Sequence, residues 1–267
     1  MTQERIELAD AMKIESYPAW VQDVVQACEG LRQRVTRHEL YRQMHTNTID
    51  AGVMRRFLMN VWPVIWEFPQ YMGMSLCHVE QGTPGHEEAR SYLIKNMKVE
   101  NTHAQLWTYW AEAHGISLHE LQRGERSAAA EALSHWCWHT CHREPLVVAM
   151  AATNYAIEGA TGDWACYICS STSYEDGLPR EYRHRAMRWL KAHAHYDDKH
   201  PWQALAIITK VLGPSPGSVD IRAVQRAIEK SYDYMCLTQE ECLNSAQHST
   251  VGLERAVNQT EPWWRSS

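Results

Sequence analysis

The spacing of histidine and aspartate in residues 193–200 constrains the fold more than any other feature of the sequence. His193, Asp197 and His200 are separated by four and then three positions. An α-helix turns by roughly 100° per residue, so such positions lie within about 60° of one another on one face. Two imidazoles and a carboxylate on one face suit iron, manganese or zinc. The spacing predicts a helix with a metal-binding edge, and Pro201 is expected to end or kink that helix.

The rest of the sequence also has helical rather than strand-like patterning. No alternating run of apolar and polar residues has a useful length, and short turns separate segments with helical periodicity. The most apolar segment lies within residues 144–173 and is expected to be a central helix. We therefore predict an all-α fold, with one domain over residues 1–267, an ordered core over about 16–243 and a polar C-terminal tail.

The expected helices follow from apolar spacing, caps and helix breakers. Pro63 and Pro69 predict a kinked or broken helix over residues 50–80. The predicted helices cover residues 17–30, 35–45, 50–80, 85–115, 118–123, 127–142, 144–173, 180–200, 202–213 and 218–242.

The composition and the net charge of the chain indicate which kinds of partner, such as nucleic acids or membranes, it is expected to bind. The chain has 267 residues and a formal net charge of −6 at pH 7. Its one basic segment, residues 180–188, also carries a glutamate and is typical of a solvated helix face, so no nucleic-acid partner is expected. No run of 18 apolar residues is present, and the first 20 residues lack the apolar stretch of a signal peptide. We therefore expect a cytoplasmic protein without stable membrane insertion.

The chain contains eight cysteines. In a cytoplasmic protein of this length, they are expected to be reduced side chains packed as small apolar groups. Cys166 and Cys169 form a single CxxC pair, and the absence of a second pair gives a zinc site little support.

Glu100 and His103 form a second ligand pair, at positions i and i+3 of a predicted helix. Helical bundles use this spacing to present a carboxylate and an imidazole to a dinuclear metal centre. The same pattern at Glu181 and His184 lies among arginines, and it is turned by about 120–180° from the face of His193. That second occurrence therefore indicates a solvent-exposed face.

Glu158 lies in the most apolar predicted helix. A buried carboxylate is costly and needs a metal or a polar partner, and an arginine or tyrosine partner is the alternative to a metal. The next four residues, Gly-Ala-Thr-Gly, are small, which permits close helix approach or leaves space for a ligand. Glu158 is therefore a candidate ligand and also the candidate catalytic carboxylate.

The candidate metal ligands together are three carboxylates and three imidazoles on three predicted helices: Glu100, His103, Glu158, His193, Asp197 and His200. Such a set suits two Fe(II) ions per chain. One division places Glu100, His103 and His193 on one ion and Glu158, Asp197 and His200 on the other, with a carboxylate bridging them. The sequence leaves this division open. Asp198 is an alternative to Asp197, although it lies off the face of His193.

Several stretches resemble the haem-oxygenase-like di-metal oxidases, and more closely the bacterial iron-dependent fatty-acid decarboxylases of the UndA type, which form terminal alkenes. They span about residues 16–240, and the stretch around Glu158 is specific rather than a generic helix pattern. The matching stretches are residues 16–20, 38–41, 133–138, 149–162, 189–191, 196–198, 200–202 and 230–235.

The resemblance implies a haem-oxygenase-like fold of the TenA and PqqC type, with about seven helices, and the six ligand positions given above. It also implies a medium-chain fatty acid such as dodecanoic acid as substrate, O₂ as co-substrate, and a terminal alkene such as 1-undecene and CO₂ as products. Alkene formation releases two electrons, whereas reduction of O₂ to water takes four. An external reductant of unknown identity would therefore supply the other two electrons.

Residues that flank the predicted ligands are candidates for the wall of an apolar substrate tunnel, with ordinary core packing as the alternative. Two of them lie four residues from His103 or His193, and therefore one helical turn away. The candidates are Trp107, Met150, Tyr155 and Trp189.

Three other functions stay open. A related di-iron oxidase could act on an amino acid by C–C cleavage or N-oxygenation, and would need a charged or hydrogen-bonding pocket. A thiaminase-type hydrolase would use a cysteine nucleophile, for which Cys137 and Cys141 are the candidates. A non-enzymatic helical binding protein would keep the six residues as polar core groups. The sequence does not determine the oligomeric state, a homodimer being one option.

Overall fold

A computed structural model describes residues 12–196 and 199–244, without the side chains of residues 195 and 196. This part of the chain contains helices and no strand, which confirms the all-α prediction. Eleven helices follow a single 3₁₀ turn at Ile14–Ser16. None of these helices combines the length and the apolar character that a bilayer span requires.

The helices are numbered in chain order. They are α1 (Ala19–Thr36), α2 (Glu39–His45), α3 (Ala51–Leu76), α4 (His86–Ala113), α5 (Leu118–Arg123), α6 (Ala128–Arg143), α7 (residues 146–169), α8 (Ser173–Gly177), α9 (Arg180–Tyr196), α10 (His200–Leu212) and α11 (Ser218–Asn244). The described helices outnumber the seven expected, in part because α2, α5 and α8 are short elements of seven, six and five residues within connections.

Helix starts follow local sequence signals. The side chain of Asp50 accepts hydrogen bonds from two backbone N–H groups at the start of α3, and Ser127 caps α6 in the same way. Ser117 and Glu120 form a capping box at α5.

Pro63 and Pro69 lie inside α3 without ending it, so the expectation of a broken helix is corrected. α3 packs along α4 and α6, and the burial of its apolar face offsets the backbone hydrogen bonds that the prolines remove.

Helix α7 is the central helix that the sequence predicts, and every residue from 146 to 160 is buried. It begins with an α-helical turn at Leu146–Met150, continues as a π-helix at Ala151–Ile157, and returns to α-helix at Glu158–Cys169. The π-helical segment therefore ends directly before the buried carboxylate Glu158. Such segments are rare and occur frequently at functional sites.

The expected helix over residues 180–200 is two helices in the structure. α9 ends at Tyr196, and His200 is the first residue of α10. Pro201 explains the break, because in a continuous helix its ring would collide with the carbonyl group four residues earlier. His200 therefore does not share a helix face with His193.

The apolar interior consists of two clusters that meet near the middle of the bundle. On α4, Leu93 belongs to the first cluster and Ala104 to the second. On α7, Ala160 belongs to the first and Trp164 to the second. Glu100 lies between the two α4 residues, and Glu158 lies two positions before Ala160. The polar candidate ligands thus lie where the two apolar clusters adjoin.

Candidate metal centre

Four helices bring five of the six predicted ligands together. Ligand atoms of Glu100, His103 and His193 all lie within 4.8 Å of one another, and so do ligand atoms of Glu100, Glu158 and His200. Glu100 belongs to both groups, so its carboxylate lies between two candidate ion positions. The first group contains the three residues that one of the divisions considered above places on a single ion. Asp197, like its alternative Asp198, lies outside the described residues.

His200 reaches the centre through a close helix contact rather than through the spacing used to predict it. A Cβ atom added to Gly159 would lie 3.2 Å from Cβ of Pro201, so the glycine lets the start of α10 approach α7 closely. The hydroxyl group of Tyr92 donates a hydrogen bond to the His200 carbonyl oxygen at 3.2 Å. These contacts of α4 and α7 with α10 position His200 beside Glu158.

The histidine rings are oriented by hydrogen bonds at Nδ1. In His193, Nδ1 lies 2.8 Å from the carbonyl oxygen of Trp189, which assigns the ring proton to Nδ1 and the lone pair to Nε2. Burial lowers the pKa of His193 well below its usual value, and the neighbouring His103 lowers it further. The ring is therefore neutral at pH 7, which is the form that binds a metal.

The carboxylates pair with histidines in the same buried space. Glu100 Oε2 lies 2.8 Å from His103 Nδ1, and Glu158 Oε1 lies 2.9 Å from His200 Nδ1. Asn154 donates from Nδ2 to Glu158 Oε2 at 3.4 Å. Burial is the main cause of a raised pKa at Glu158, and the His200 hydrogen bond acts in the opposite direction.

Glu100 provides a test of whether a metal fits this site. Its Oε1 atom is buried and has no hydrogen-bond partner among the described residues. Burying such an oxygen is costly unless a cation or a hydrogen-bond donor compensates it. Two buried carboxylates share this space with three imidazoles, and divalent cations would offset their charge. The donor set and the orphaned oxygen therefore fit a first-row metal.

A small, largely apolar cavity of about 60 Å³ adjoins the candidate ligands. Glu100, Glu158 and His193 form part of its wall. The apolar lining comes mainly from α3, α6, α7 and α11 and includes Phe57, Val64, Phe68, Leu133, Ile157 and Met235.

Among the four candidates for the tunnel wall, Trp189 lines this cavity, and the other three stay predictions, since they do not belong to its lining. Trp107 is fully buried and donates from its indole N–H to the carbonyl oxygen of Leu58 at 3.1 Å. Met150 and Tyr155 belong to the first apolar cluster. These three residues lie near a ligand along their helices, but their side chains belong to the adjoining core and not to the lining of this cavity.

Two contacts of the site were not predicted from the sequence. Asn154 lies four residues before Glu158 in an otherwise apolar helix, and this spacing could have indicated the hydrogen bond between them. Nothing in the sequence indicated the Tyr92 hydrogen bond, because its partner is a backbone carbonyl group more than 100 residues away. The cavity wall from α3 and α11 also carried no signal, because apolar wall residues resemble apolar core residues in sequence.

The other sequence motifs lie apart from this centre. Glu181 and His184 are both exposed, which confirms that their spacing marks a solvated face. Cys137 and Cys141 are buried thiols. Burial raises the pKa of Cys137 well above its usual value and raises that of Cys141 to about 11. Neither thiol is therefore ionised at neutral pH, which makes both poor nucleophiles.

The fold and the site define a class: helical proteins with a buried glutamate and histidine cluster suited to a first-row metal. A family model described as iron-containing redox enzyme, of the haem-oxygenase-like superfamily, matches residues 55–234. The chain belongs to this family. Among curated proteins, the sequence comparison finds no match.

Solved structures share the fold. A TenA homologue from Pseudomonas syringae pv. tomato str. DC3000 is 43% identical, with a TM-score of 0.85 over 87% of this chain and 96% of that one. A TenA family transcription regulator from Silicibacter sp. TM1040 is 13% identical, with a TM-score of 0.68 over 85% and 98% of the two chains. A domain of unknown function with a haem-oxygenase-like fold, from Shewanella denitrificans OS217, is 14% identical, with a TM-score of 0.67 over 86% and 93%. These likenesses support the predicted TenA-like fold.

Proposed function

We propose that the chain is a non-haem di-iron oxidase that uses O₂ to convert medium-chain fatty acids, such as dodecanoic acid, into terminal alkenes and CO₂. One observation carries the proposal: the cavity is largely apolar, and Glu100, Glu158 and His193 of the candidate centre form part of its wall. An alkyl chain gains about 0.8 kcal/mol per buried CH₂ group in such surroundings. A fatty acid could thus place its tail against apolar side chains and its carboxylate beside the ligands.

The described residues suggest how two irons would be held. Glu100, His103 and His193 would bind one ion, and Glu158 and His200 would bind the other, with Glu100 shared between them. Bound iron would supply one-electron redox chemistry and a positive charge for the substrate carboxylate. The protein orients the ligands, since the Trp189 carbonyl group holds the ring of His193 and Asn154 holds the carboxylate of Glu158.

The reaction balances with an external electron donor. The fatty acid loses one hydrogen atom from Cβ and then a further electron and CO₂, which leaves a carbon–carbon double bond at the chain end. These steps release two electrons, and reduction of O₂ to two water molecules consumes four. A reductant such as ascorbate would supply the other two. The apolar lining of the cavity would limit the contact of bulk water with the carbon centre that reacts.

A related oxidase that acts on an amino acid is the second candidate, because the cavity wall is not wholly apolar. The indole nitrogens of Trp164 and Trp189 and Oε1 of Gln239 are buried without a hydrogen-bond partner among the described residues. All three residues line the cavity, and a polar substrate could satisfy these atoms. The hydrolase alternative is weaker, since burial keeps its two candidate thiols protonated.

The test is to load the protein anaerobically with Fe(II), add dodecanoic acid, ascorbate and O₂, and analyse the headspace by gas chromatography. We expect 1-undecene, together with about two irons per chain in metal analysis. His193→Ala and Glu158→Ala should abolish turnover while the helical circular-dichroism signal persists. Turnover of an amino acid without formation of 1-undecene would support the second candidate instead. Absence of bound iron would favour a binding protein.

A further inference from the structure

A line of aromatic rings leads away from the candidate centre toward a partly exposed histidine. The ring of His193 stacks on Trp189, with centroids 3.7 Å apart and planes inclined by 26°. Trp189 stacks in turn on Trp110, at 5.6 Å and 25°. Both tryptophans are fully buried. Close contact between the π systems of such rings is the arrangement through which electrons move readily in proteins.

The line continues through hydrogen bonds. The indole N–H of Trp110 donates to the hydroxyl oxygen of Tyr174 at 2.7 Å, and that oxygen lies 2.9 Å from Nε2 of His114. Tyr174 is buried, whereas His114 is partly exposed. A phenol next to an imidazole can lose an electron and its proton together, because the imidazole accepts the proton.

We propose that Trp189, Trp110 and Tyr174 form an electron-transfer chain that connects the metal centre with His114, a proposal that rests on the function proposed above. Such a chain would serve as the route for the electrons that the external reductant supplies. It would also supply electrons to an oxidised centre when O₂ reacts in the absence of a fatty acid.

The protonation state of His114 agrees with this role. Burial lowers its pKa to about 4, so the imidazole is neutral at pH 7 and can accept the phenolic proton. Burial also raises the pKa of Tyr174 well above its usual value, so the side chain remains a phenol until it is oxidised.

A second aromatic branch begins at the same tryptophan but ends differently. Trp189 stacks on Trp164 at 5.3 Å, and Trp164 stacks on Tyr41 at 4.5 Å. Tyr41 is buried, and Nε2 of Gln239 donates a hydrogen bond to its hydroxyl oxygen at 3.1 Å. This contact brings a donor rather than a base to the phenol. The branch through Tyr174 is therefore the one equipped for proton-coupled oxidation.

Electrons and protons balance along the chain. Tyr174 loses one electron toward Trp110 and Trp189 and passes its phenolic proton to His114. With iron bound at the site, this electron would be available at the ring of His193 for a one-electron reduction. A one-electron reductant of the ascorbate class then returns an electron to the tyrosyl radical, and His114 returns the proton. The net result is transfer of one electron from reductant to centre.

The experiment mixes Fe(II)-loaded protein with O₂ in the absence of fatty acid and reductant, followed by freezing and electron paramagnetic resonance spectroscopy. We expect a tyrosyl radical, and ring-deuterated tyrosine should narrow its spectrum. Tyr174→Phe should lose this signal. The matched control Tyr41→Phe, which removes a buried phenol two rings from the same Trp189, should keep it.

A second variant covers the case in which Tyr174→Phe fails to fold. His114→Gln replaces a partly exposed side chain and removes the base while keeping a hydrogen-bonding group, so we expect a lower radical yield. A tyrosyl signal that persists in Tyr174→Phe, or no radical in the wild type, would overturn the proposed electron-transfer chain.

Iron content and 1-undecene are measured on the same samples. Iron binding and alkene formation without a radical would refute only the electron-transfer chain, whereas a protein that binds no iron would refute both proposals.

Discussion

The two oxygens of Glu100 have different surroundings. Oε2 contacts His103, while Oε1 is buried without a partner among the described residues. The carboxylate is also common to both groups of candidate ligands. One side chain therefore contributes to both proposed ion positions, whereas His200 contributes to one.

This difference gives a graded prediction for metal content. Glu100→Gln keeps the size of the side chain but removes its charge, and we expect iron to fall from about two per chain to almost none. His200→Ala should leave about one iron per chain, because the group containing His103 and His193 stays intact. Metal analysis after anaerobic loading and desalting measures both values. Equal losses in the two variants would contradict a shared role for Glu100.

Glu158 gives a prediction for the pH dependence of stability. Burial raises its pKa in the fold above the unfolded value of about 4.3. The metal-free fold therefore holds this proton more tightly than the unfolded chain does. The free energy of unfolding should fall as pH rises from about 4.3 through the folded pKa, by about 1.4 kcal/mol for each pH unit that separates the two pKa values.

Glu158→Gln should abolish this loss, since the amide carries no charge and can still accept from His200. Urea denaturation in chelator, from about pH 4 to about pH 8, should show the variant gaining stability over the wild type as pH rises. Glu181→Gln, at an exposed carboxylate, is the control and should follow the wild type. If the free energy of unfolding of the wild type instead increased relative to that of Glu158→Gln as pH rises, the pKa of Glu158 would be lowered in the fold and the prediction would be wrong.

At the scale of helices, the contact between α7 and α10 decides where His200 lies. A methyl group at position 159 would meet Pro201 at 3.2 Å, closer than most real contacts, whereas one at position 162 would meet the His193 carbonyl oxygen at an ordinary 3.7 Å. Gly159→Ala should therefore displace the start of α10 and weaken iron binding at the Glu158 and His200 position by about 10–100-fold.

Gly162→Ala is the matched control, because it adds the same methyl group to the same helix without a close contact. Anaerobic Fe(II) titration should show weakened binding of one ion in Gly159→Ala and two wild-type affinities in Gly162→Ala. If both variants bound iron like the wild type, the contact would not position His200.

The sequence predicted most helices well but not every feature that shapes the site. Caps and glycines at turns locate the starts of α3, α5 and α6, since these signals act within a few residues. Two features of the site were not predicted. A single helix over residues 180–200 was expected, whereas His200 belongs to a separate helix that contains Pro201. The π-helical segment before Glu158 consists of the same small apolar residue types as an ordinary buried helix, so no local pattern could reveal it.

At the scale of the molecule, the candidate ligands join four helices. Metal binding should therefore stabilise the whole fold rather than one element. Free Fe(II) at about 100 times the dissociation constant of one site adds about 2.7 kcal/mol, which for a chain of this size raises Tm by roughly 5–10 °C. Anaerobic differential scanning calorimetry measures this shift. Glu100→Gln should show little increase, and an increase equal to that of the wild type would place the stabilising iron elsewhere.

Five of the six proposed ligands could be brought together from the sequence because ligand-type residues at helical spacings in apolar segments are conspicuous. The cavity could not be derived in the same way. Its wall combines side chains from α3, α6, α7 and α11, and only the tertiary packing distinguishes Phe68 or Met235 from residues of the solid core.

The separation of His200 from α9 affects the order in which the protein is made. A chain emerging from the ribosome carries Glu100 and His103 when only four of the eleven described helices exist, and it gains His200 only with α10. The pocket for the second ion is complete only after that helix docks against Gly159. The donor set is thus completed only late in synthesis, and shortened translation products that stop before α10 lack the full set of donors.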